Sequence, residues 1–247
     1  MELRENETID DLEINGLKII QNKEWFKFGI DSVLLSGFAK DIKDGSKVLD
    51  IGTGTGIIAI LLSAKTKAKE IVGIEIQNEV AEMAQRSIEL NQLESRIKII
   101  NENILNIEKH FECGYFDAVV SNPPYQKNET GLKSENEKHL ISRHEVTCSL
   151  EDIIDKGFKM LKDRGELYLV HRPERLVDVM CAMRKSKIEP KQVRLVQAKA
   201  NEKPNLVLIK GVKNSKPFLK VEEPLIIYND DGSYTDEVLE IYGKTKK

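Results

Sequence analysis

From Lys47 to His171 the chain alternates short β-branched runs with stretches whose apolar residues recur at helical spacing. That alternation confines it to an α/β fold, a parallel sheet with crossover helices. The expected strands are Lys47–Ile51, Glu70–Ile74, Ile97–Asn101, Phe116–Ser121 and Gly165–His171. The expected helices are Ile57–Lys65, Glu79–Asn91, Ser149–Leu161 and Pro173–Lys185; in the second, Val80, Met83, Ala84, Ile88 and Leu90 fall near one face. After Pro190 the pattern changes to two strands, Gln192–Ala198 and Leu206–Lys210, joined by a polar turn with Asn201 and Pro204. They predict an antiparallel hairpin beside the parallel strands. Upstream, Trp25-Phe26-Lys27-Phe28-Gly29-Ile30-Asp31-Ser32 precedes a helix expected to start near Val33, with Asp31 or Ser32 as its cap. The aromatic residues there suit either a cover for a ligand or plain core packing. The polar, aperiodic segment Asn128–Arg143 reads as a long mobile loop.

A chain of 247 residues with 40% hydrophobic content buries a full core as one α/β domain. The richest apolar stretch, Gly56 to Leu62, stops far short of the roughly 18 residues of a membrane span. The acidic N-terminus lacks the basic start of a signal peptide. Cys113, Cys148 and Cys181 are odd in number and far apart, which predicts reduced thiols and a cytoplasmic location. His110, His139, His144 and His171 show no metal-ligand spacing, so no metal is expected. The net charge of −3 hides an asymmetry: residues 156–220 hold 17 Lys or Arg against six Asp or Glu. Such a stretch marks either a polyanion-binding face, with Arg172, Arg175, Arg194, Lys199 and Lys203 leading, or a solvated surface.

The run Val48-Leu49-Asp50-Ile51-Gly52-Thr53-Gly54-Thr55-Gly56 ends a strand with glycines and opens a helix, where backbone can approach a ligand closely. Alone it fits a nucleotide-phosphate loop or a plain strand-to-helix turn. Asp50 argues against phosphate and suits the ammonium of a methionine moiety. The next strand ends Gly73-Ile74-Glu75-Ile76, placing a carboxylate roughly 20 residues on, where it accepts from ribose hydroxyls. No Gly-Lys-Ser/Thr follows the glycines, which removes the P-loop. The joint pattern points to S-adenosyl-L-methionine, with Asn103 and Ile104 after the third strand as candidates for holding adenine; an ordinary turn is the rival role for Asn103.

The fourth strand delivers Asn122-Pro123-Pro124-Tyr125 at its carboxyl end, where open α/β sheets bind ligands. Two prolines donate no backbone hydrogen and fix φ, so the carbonyls of the turn are rigidly aimed. The Asn122 oxygen and the Pro123 carbonyl make a stiff pair of acceptors for an exocyclic amino group, with Tyr125 for stacking. A planar amino nitrogen is a poor nucleophile. Acceptors on both its hydrogens stabilise the positive charge that grows as it attacks the sulfonium methyl, and no prior deprotonation is needed.

Together these residues resemble the bacterial tRNA1(Val) (adenine-N6)-methyltransferase family, whose members modify the adenosine just 3′ of the anticodon. The likeness spans Phe28 to Leu35, Asp50 to Gly56, Glu75, Asn122 to Tyr125, Arg143-His144-Glu145, Pro190 to Gly211, and the tail Pro224 to Tyr228 with Tyr234-Thr235. It implies a Rossmann-like class I methyltransferase with a mostly parallel seven-stranded sheet and helices on both faces. It also implies tRNA as partner, Asp50, Gly52, Gly54, Gly56, Glu75, Ile76, Asn103 and Ile104 at the cofactor, and Asn122, Pro123, Pro124 and Tyr125 at the base. The family more often has Asp where this chain has Asn103; an asparagine oxygen still accepts. The expected division is a single domain: an extension over the site (1–45), a Rossmann-like core (46–215) and a tail (216–247). Two alternatives stay open, a protein-glutamine N5-methyltransferase of release factors and a methyltransferase-fold RNA-binding protein without catalysis.

Overall fold

The computed structural model describes residues 3–25, 28–123, 125 and 148–244. The β-branched runs form β3 (Lys47–Ile51), β4 (Glu70–Glu75), β5 (Ile97–Asn101), β6 (Phe116–Ser121) and β7 (Leu161–His171), all parallel. β8 (Ile188–Gln197) and β9 (Pro204–Lys213) follow as an antiparallel hairpin. The seven lie in the order β8-β9-β7-β6-β3-β4-β5, with the short strands β10 (Lys220–Val221) and β11 (Leu225–Ile226) beside β8. β9 inserts between β7 and β8 and alone runs against the rest. The expected seven-stranded, mostly parallel sheet is therefore present, and β8 ends on the same side as β3, β4, β6 and β7.

Residues alternate across the sheet into two cores. Val48, Ala118, Val120 and Val170 pack with α1 (Ile30–Phe38), α2 (Ile57–Lys65) and α3 (Asn78–Leu90) on one face. Leu49, Val119, Leu167 and Leu169 pack with α4 (Leu150–Met160) and α5 (Leu176–Lys185) on the other. Ser149 caps α4 in a reciprocal box with Asp152, as the Ser-x-x-Asp spacing favours. The helix expected from Pro173 is divided: Pro173–Arg175 is a 3-10 turn and α5 begins at Leu176. Pro190 lies within β8, where the register shifts between Pro190 and Gln192; the strand begins before the proline because the shift absorbs its missing N–H.

The N-terminal segment forms a hairpin, β1 (Glu7–Asp11) with β2 (Lys18–Asn22), docked on α3. The buried Glu7 carboxylate takes a paired hydrogen bond from Arg86, and Asn91 pairs with both backbone groups of Lys18. α1 starts at Ile30 and not near Val33, and neither Asp31 nor Ser32 caps it; Gly29 is the cap residue, without a side-chain bond. Near the C-terminus, α6 (Asp236–Ile241) packs on α1, Ile241 lying against Gly37. Among the described residues no helix is long and apolar enough to cross a membrane. Segment 128–143, Arg143-His144-Glu145 and Pro124 lie outside the described residues.

Candidate active site

The glycine loop bends from β3 into α2 with Gly52 at φ 70° and Gly54 at φ 57°, values that side chains rarely adopt. A Cβ added at either would meet nothing within 4 Å, so the loop faces an open crevice. Gly56 ends the loop as the left-handed cap residue of α2. Beneath it Asp50 is 0% exposed. Its Oδ2 accepts the Thr53 hydroxyl at 2.6 Å, and its Oδ1 makes no hydrogen bond. Burial pushes the carboxyl up to about 7 against the Thr53 hydroxyl and the nearby Ala59 amide, with the Glu75 charge adding to the rise. An orphaned buried oxygen under an open cradle fits a cationic group overhead, acting through the field and not through contact.

Glu75 closes the next strand. It is 4% exposed. One carboxylate oxygen accepts the Gly54 N–H at 3.1 Å and the other the Gln77 N–H at 2.9 Å, so the residue also pins the glycine loop. Each oxygen retains a lone pair for a ribose hydroxyl. Asn103, at the end of β5, spends its side-chain oxygen on the Leu105 N–H at 2.9 Å and caps the 3-10 helix Ile104–Lys109. The turn role is thus what its local geometry displays. Ile104 is 7% exposed and lies in the core with Ile100 and Ile107. The apolar side chains that do reach the surface there are Ile76 at 36% and Leu105 at 40% exposure. Leu105 went unnoticed because periodicity does not say which of two adjacent apolar residues in a 3-10 turn faces outward.

β6 runs beside β3, Ser121 paired with Ile51, so Asn122 leaves the sheet next to the glycine loop. The Tyr125 hydroxyl lies 2.6 Å from Asp31 Oδ2 and 2.7 Å from Asn122 Oδ1; Asn122 Nδ2 lies 3.2 Å from Ser32 Oγ. The Tyr125 ring is 5.4 Å from the His171 ring, and the Arg172 guanidinium carbon stands 5.0 Å from its centroid. Burial, then the Asp31 carboxylate, hold the phenol protonated far above its ordinary range. His171 is buried and pushed down to about 4, first by desolvation and then by the Arg175 charge. Its Nδ1 accepts the Arg172 N–H at 2.8 Å. Neutral and with its acceptor nitrogen occupied, it is a wall of the site and not a base. Asp31 and Ser32 were visible in the sequence only as helix-capping types, so their contact with residues some 90 positions away had no local signal.

A family model described as the methyltransferase small domain matches residues 29–186, more than half of the chain. The chain belongs to the methyltransferase small domain family. This family member is similar to a Porphyromonas gingivalis protein named tRNA1(Val) (adenine(37)-N6)-methyltransferase, 29% identical over 225 residues, 87% of this chain and 86% of that one. A Tolumonas auensis relative of the same name is 27% identical over 230 residues, 90% of each chain. A solved structure of a predicted O-methyltransferase from Agrobacterium tumefaciens shares the fold, with a TM-score of 0.70 at 23% identity over 87% of this chain and 98% of that one.

In this methyltransferase the buried Asp50 sets a pH dependence. Its folded pKa is raised from 3.8 to about 7, so its contribution to stability is fully present below pH 3.8 and is lost as pH rises through about 7. A cationic ligand over the loop favours the ionised form and so expels the proton. S-adenosylhomocysteine binding near pH 7 is therefore expected to release part of a proton in the parent and none in Asp50→Asn. Calorimetry in buffers of different ionisation enthalpy reads this directly; a binding enthalpy independent of buffer in the parent contradicts it.

Proposed function

We propose that this chain transfers the methyl group of S-adenosyl-L-methionine to the exocyclic N6 of an adenosine in tRNA, the position 3′ of the anticodon in a tRNA1(Val)-type substrate. The observation that carries the reading is the junction of Asn122 and Tyr125 with the glycine loop at the carboxyl ends of adjacent strands. The names of relatives that align over nearly their whole length support the same substrate. The cofactor supplies an electrophilic methyl on a sulfonium. Asp50 and the glycines Gly52, Gly54 and Gly56 form its cradle, Glu75 binds the ribose, and Ile76 flanks the adenine, with Asn103 shaping the turn at the next strand end and Ile104 packed beneath it. The Asn122 oxygen and the Pro123 carbonyl accept from the amino group of the target base, with Pro124 stiffening the turn and Tyr125 flanking the base. We read the chain as one domain, a Rossmann-like core at 46–215 with an extension before it and a tail after it.

The test is mass spectrometry of nucleosides from bulk tRNA incubated with the protein and cofactor. N6-methyladenosine formation supports the reading. Methylation of a glutamine-containing release-factor peptide and not of tRNA would replace it.

Most of the basic side chains between 156 and 220 are tied within the chain. Arg175 pairs with Asp178, Arg194 makes a paired bond to Glu237, and Arg172 reaches the Asn205 carbonyl. Lys199 and Lys203 sit in the β8–β9 turn, at the active-site end of the sheet; among the described residues Lys199 is held only by a long bond to the Asp230 carbonyl, 3.4 Å, so these two are the better phosphate ligands. Reversing both to Glu is expected to raise the tRNA Michaelis constant and to flatten the salt slope by about 0.9 per lost phosphate contact. Arg194→Glu is instead expected to lower the melting temperature, since it breaks a contact to the tail. Filter binding across a salt series, beside thermal melts, separates the two; an unchanged slope in the lysine variant removes those residues from the interface.

A further inference from the structure

The N-terminus of α1 meets the Asn122–Tyr125 segment through side chains that the methyl-transfer scheme leaves without a task. Asp31 is nearly buried, its Oδ1 accepting the Ser32 N–H at 2.9 Å and its Oδ2 facing the Tyr125 hydroxyl at 2.6 Å. The same hydroxyl lies 2.7 Å from Asn122 Oδ1, and Ser32 Oγ lies 3.2 Å from Asn122 Nδ2. A phenol carries one hydrogen, and between an anionic carboxylate and a neutral carboxamide the carboxylate takes it. Asn122 then satisfies the phenol oxygen by a half-turn of its carboxamide, which gives an N–H to Tyr125 and turns the oxygen to the Ser32 hydroxyl. The result is a chain from Asp31 through Tyr125 to Asn122 in which each bond polarises the next, and the negative charge at its end pushes electron density onto the carboxamide oxygen. That oxygen keeps a second lone pair for an incoming amino hydrogen.

We propose that Asp31 is a positioning residue for methyl transfer: it holds the Tyr125 hydroxyl, and through it the Asn122 carboxamide, in the orientation that receives the amino group. The proposal rests on the functional reading given above. Among the described residues the Asn122 carboxamide is met by Tyr125 at 2.7 Å and by Ser32 at 3.2 Å, and only the Tyr125 contact is backed by a carboxylate. Arg172 and His171 stand on the ring of Tyr125 and confine its plane, while its hydroxyl is met by Asp31 and Asn122. A charge-assisted bond of this kind is worth enough to move a rate about ten- to a hundredfold when its orientation is lost.

The experiment is a double-mutant cycle of Asp31→Asn and Tyr125→Phe on the full chain, with turnover on tRNA, the two Michaelis constants and S-adenosylhomocysteine affinity measured for each. Asp31→Asn is expected to lower kcat about ten- to a hundredfold, leave cofactor affinity unchanged, and add nothing once Tyr125→Phe is present. Fully additive losses, or parental kcat in Asp31→Asn, overturn the proposal. Should Asp31→Asn fail to fold, Tyr125→Phe carries the kinetic test, because it removes the hydroxyl and keeps the ring; parental kcat in that variant is again fatal. An arm independent of activity uses protein with ¹³C at the tyrosine ζ carbons: the resonance missing in Tyr125→Phe is expected to shift in Asp31→Asn. An unshifted resonance overturns the proposal. A parent protein that leaves tRNA adenosine unmethylated overturns the functional reading instead, and the resonance then decides the Asp31 link by itself.

Discussion

Asn122→Ala is expected to lower turnover on tRNA by on the order of a hundredfold or more while leaving S-adenosylhomocysteine affinity at the parental value. Attack on the sulfonium makes the target nitrogen tetrahedral and positive, and an acceptor already fixed on its hydrogen stabilises that charge without reorganising. The acceptor is fixed because Asn122 is held from two sides, by Tyr125 and by Ser32. The interaction strengthens only as charge develops, so its loss appears in kcat and not in ground-state binding. Single-turnover methyl transfer with saturating cofactor measures it. Near-parental turnover would mean that the nitrogen is stabilised elsewhere, and the mechanism would fall. A lower affinity for S-adenosylhomocysteine at parental turnover would assign Asn122 to the cofactor side.

Glu75→Ala is expected to weaken S-adenosylhomocysteine binding about a hundredfold or more. Two charge-assisted bonds to ribose hydroxyls are worth about 1.5–3 kcal/mol each, and even their lower limits sum to about two orders of magnitude. The variant also frees the Gly54 and Gln77 amides that the carboxylate now holds. Because Glu75 is buried, some loss of thermal stability accompanies the loss of affinity, in contrast to a residue that only lines a crevice. The same holds for Asp50, whose replacement by Ala strands the Thr53 hydroxyl. Glu75→Gln separates the effects, since it keeps the volume and one acceptor. Unchanged calorimetric affinity in Glu75→Ala would remove the ribose assignment.

The core strands and their carboxyl-end turns were legible in the sequence because each rests on local chemistry: β-branched runs make strands, and glycines with positive φ mark a close approach. The expected strand Phe116–Ser121 matches β6 residue for residue. What the sequence hid was set by distant contacts. Nothing local says that β9 slots between β7 and β8, that Pro190 is absorbed by a register shift, or that Ile104 faces the core while Leu105 faces out. The basic stretch leaves a polyanion face and a solvated surface both open, because sequence counts charges. Pairing decides which are free, and Arg194 with Glu237 is settled by a tail 43 residues on. Asp31 was hidden in the same way, since a carboxylate in a helix's first turn reads as a cap until its partner is known.

The placement of β9 also dictates the order in which this chain is completed. Until residues 204–213 have emerged and entered the sheet, β7 presents an unpaired flank of six residues, Glu166–His171, four of them the apolar Leu167, Tyr168, Leu169 and Val170. β8 has no place to attach, because it bonds to the sheet only through β9. A nascent or truncated chain ending before Pro204 therefore exposes an apolar strand edge of the kind that pairs with other chains. Closure from the C-terminal side makes the segment from Pro204 onward a requirement for solubility as well as for activity, and chains cut before it are expected in the aggregated fraction.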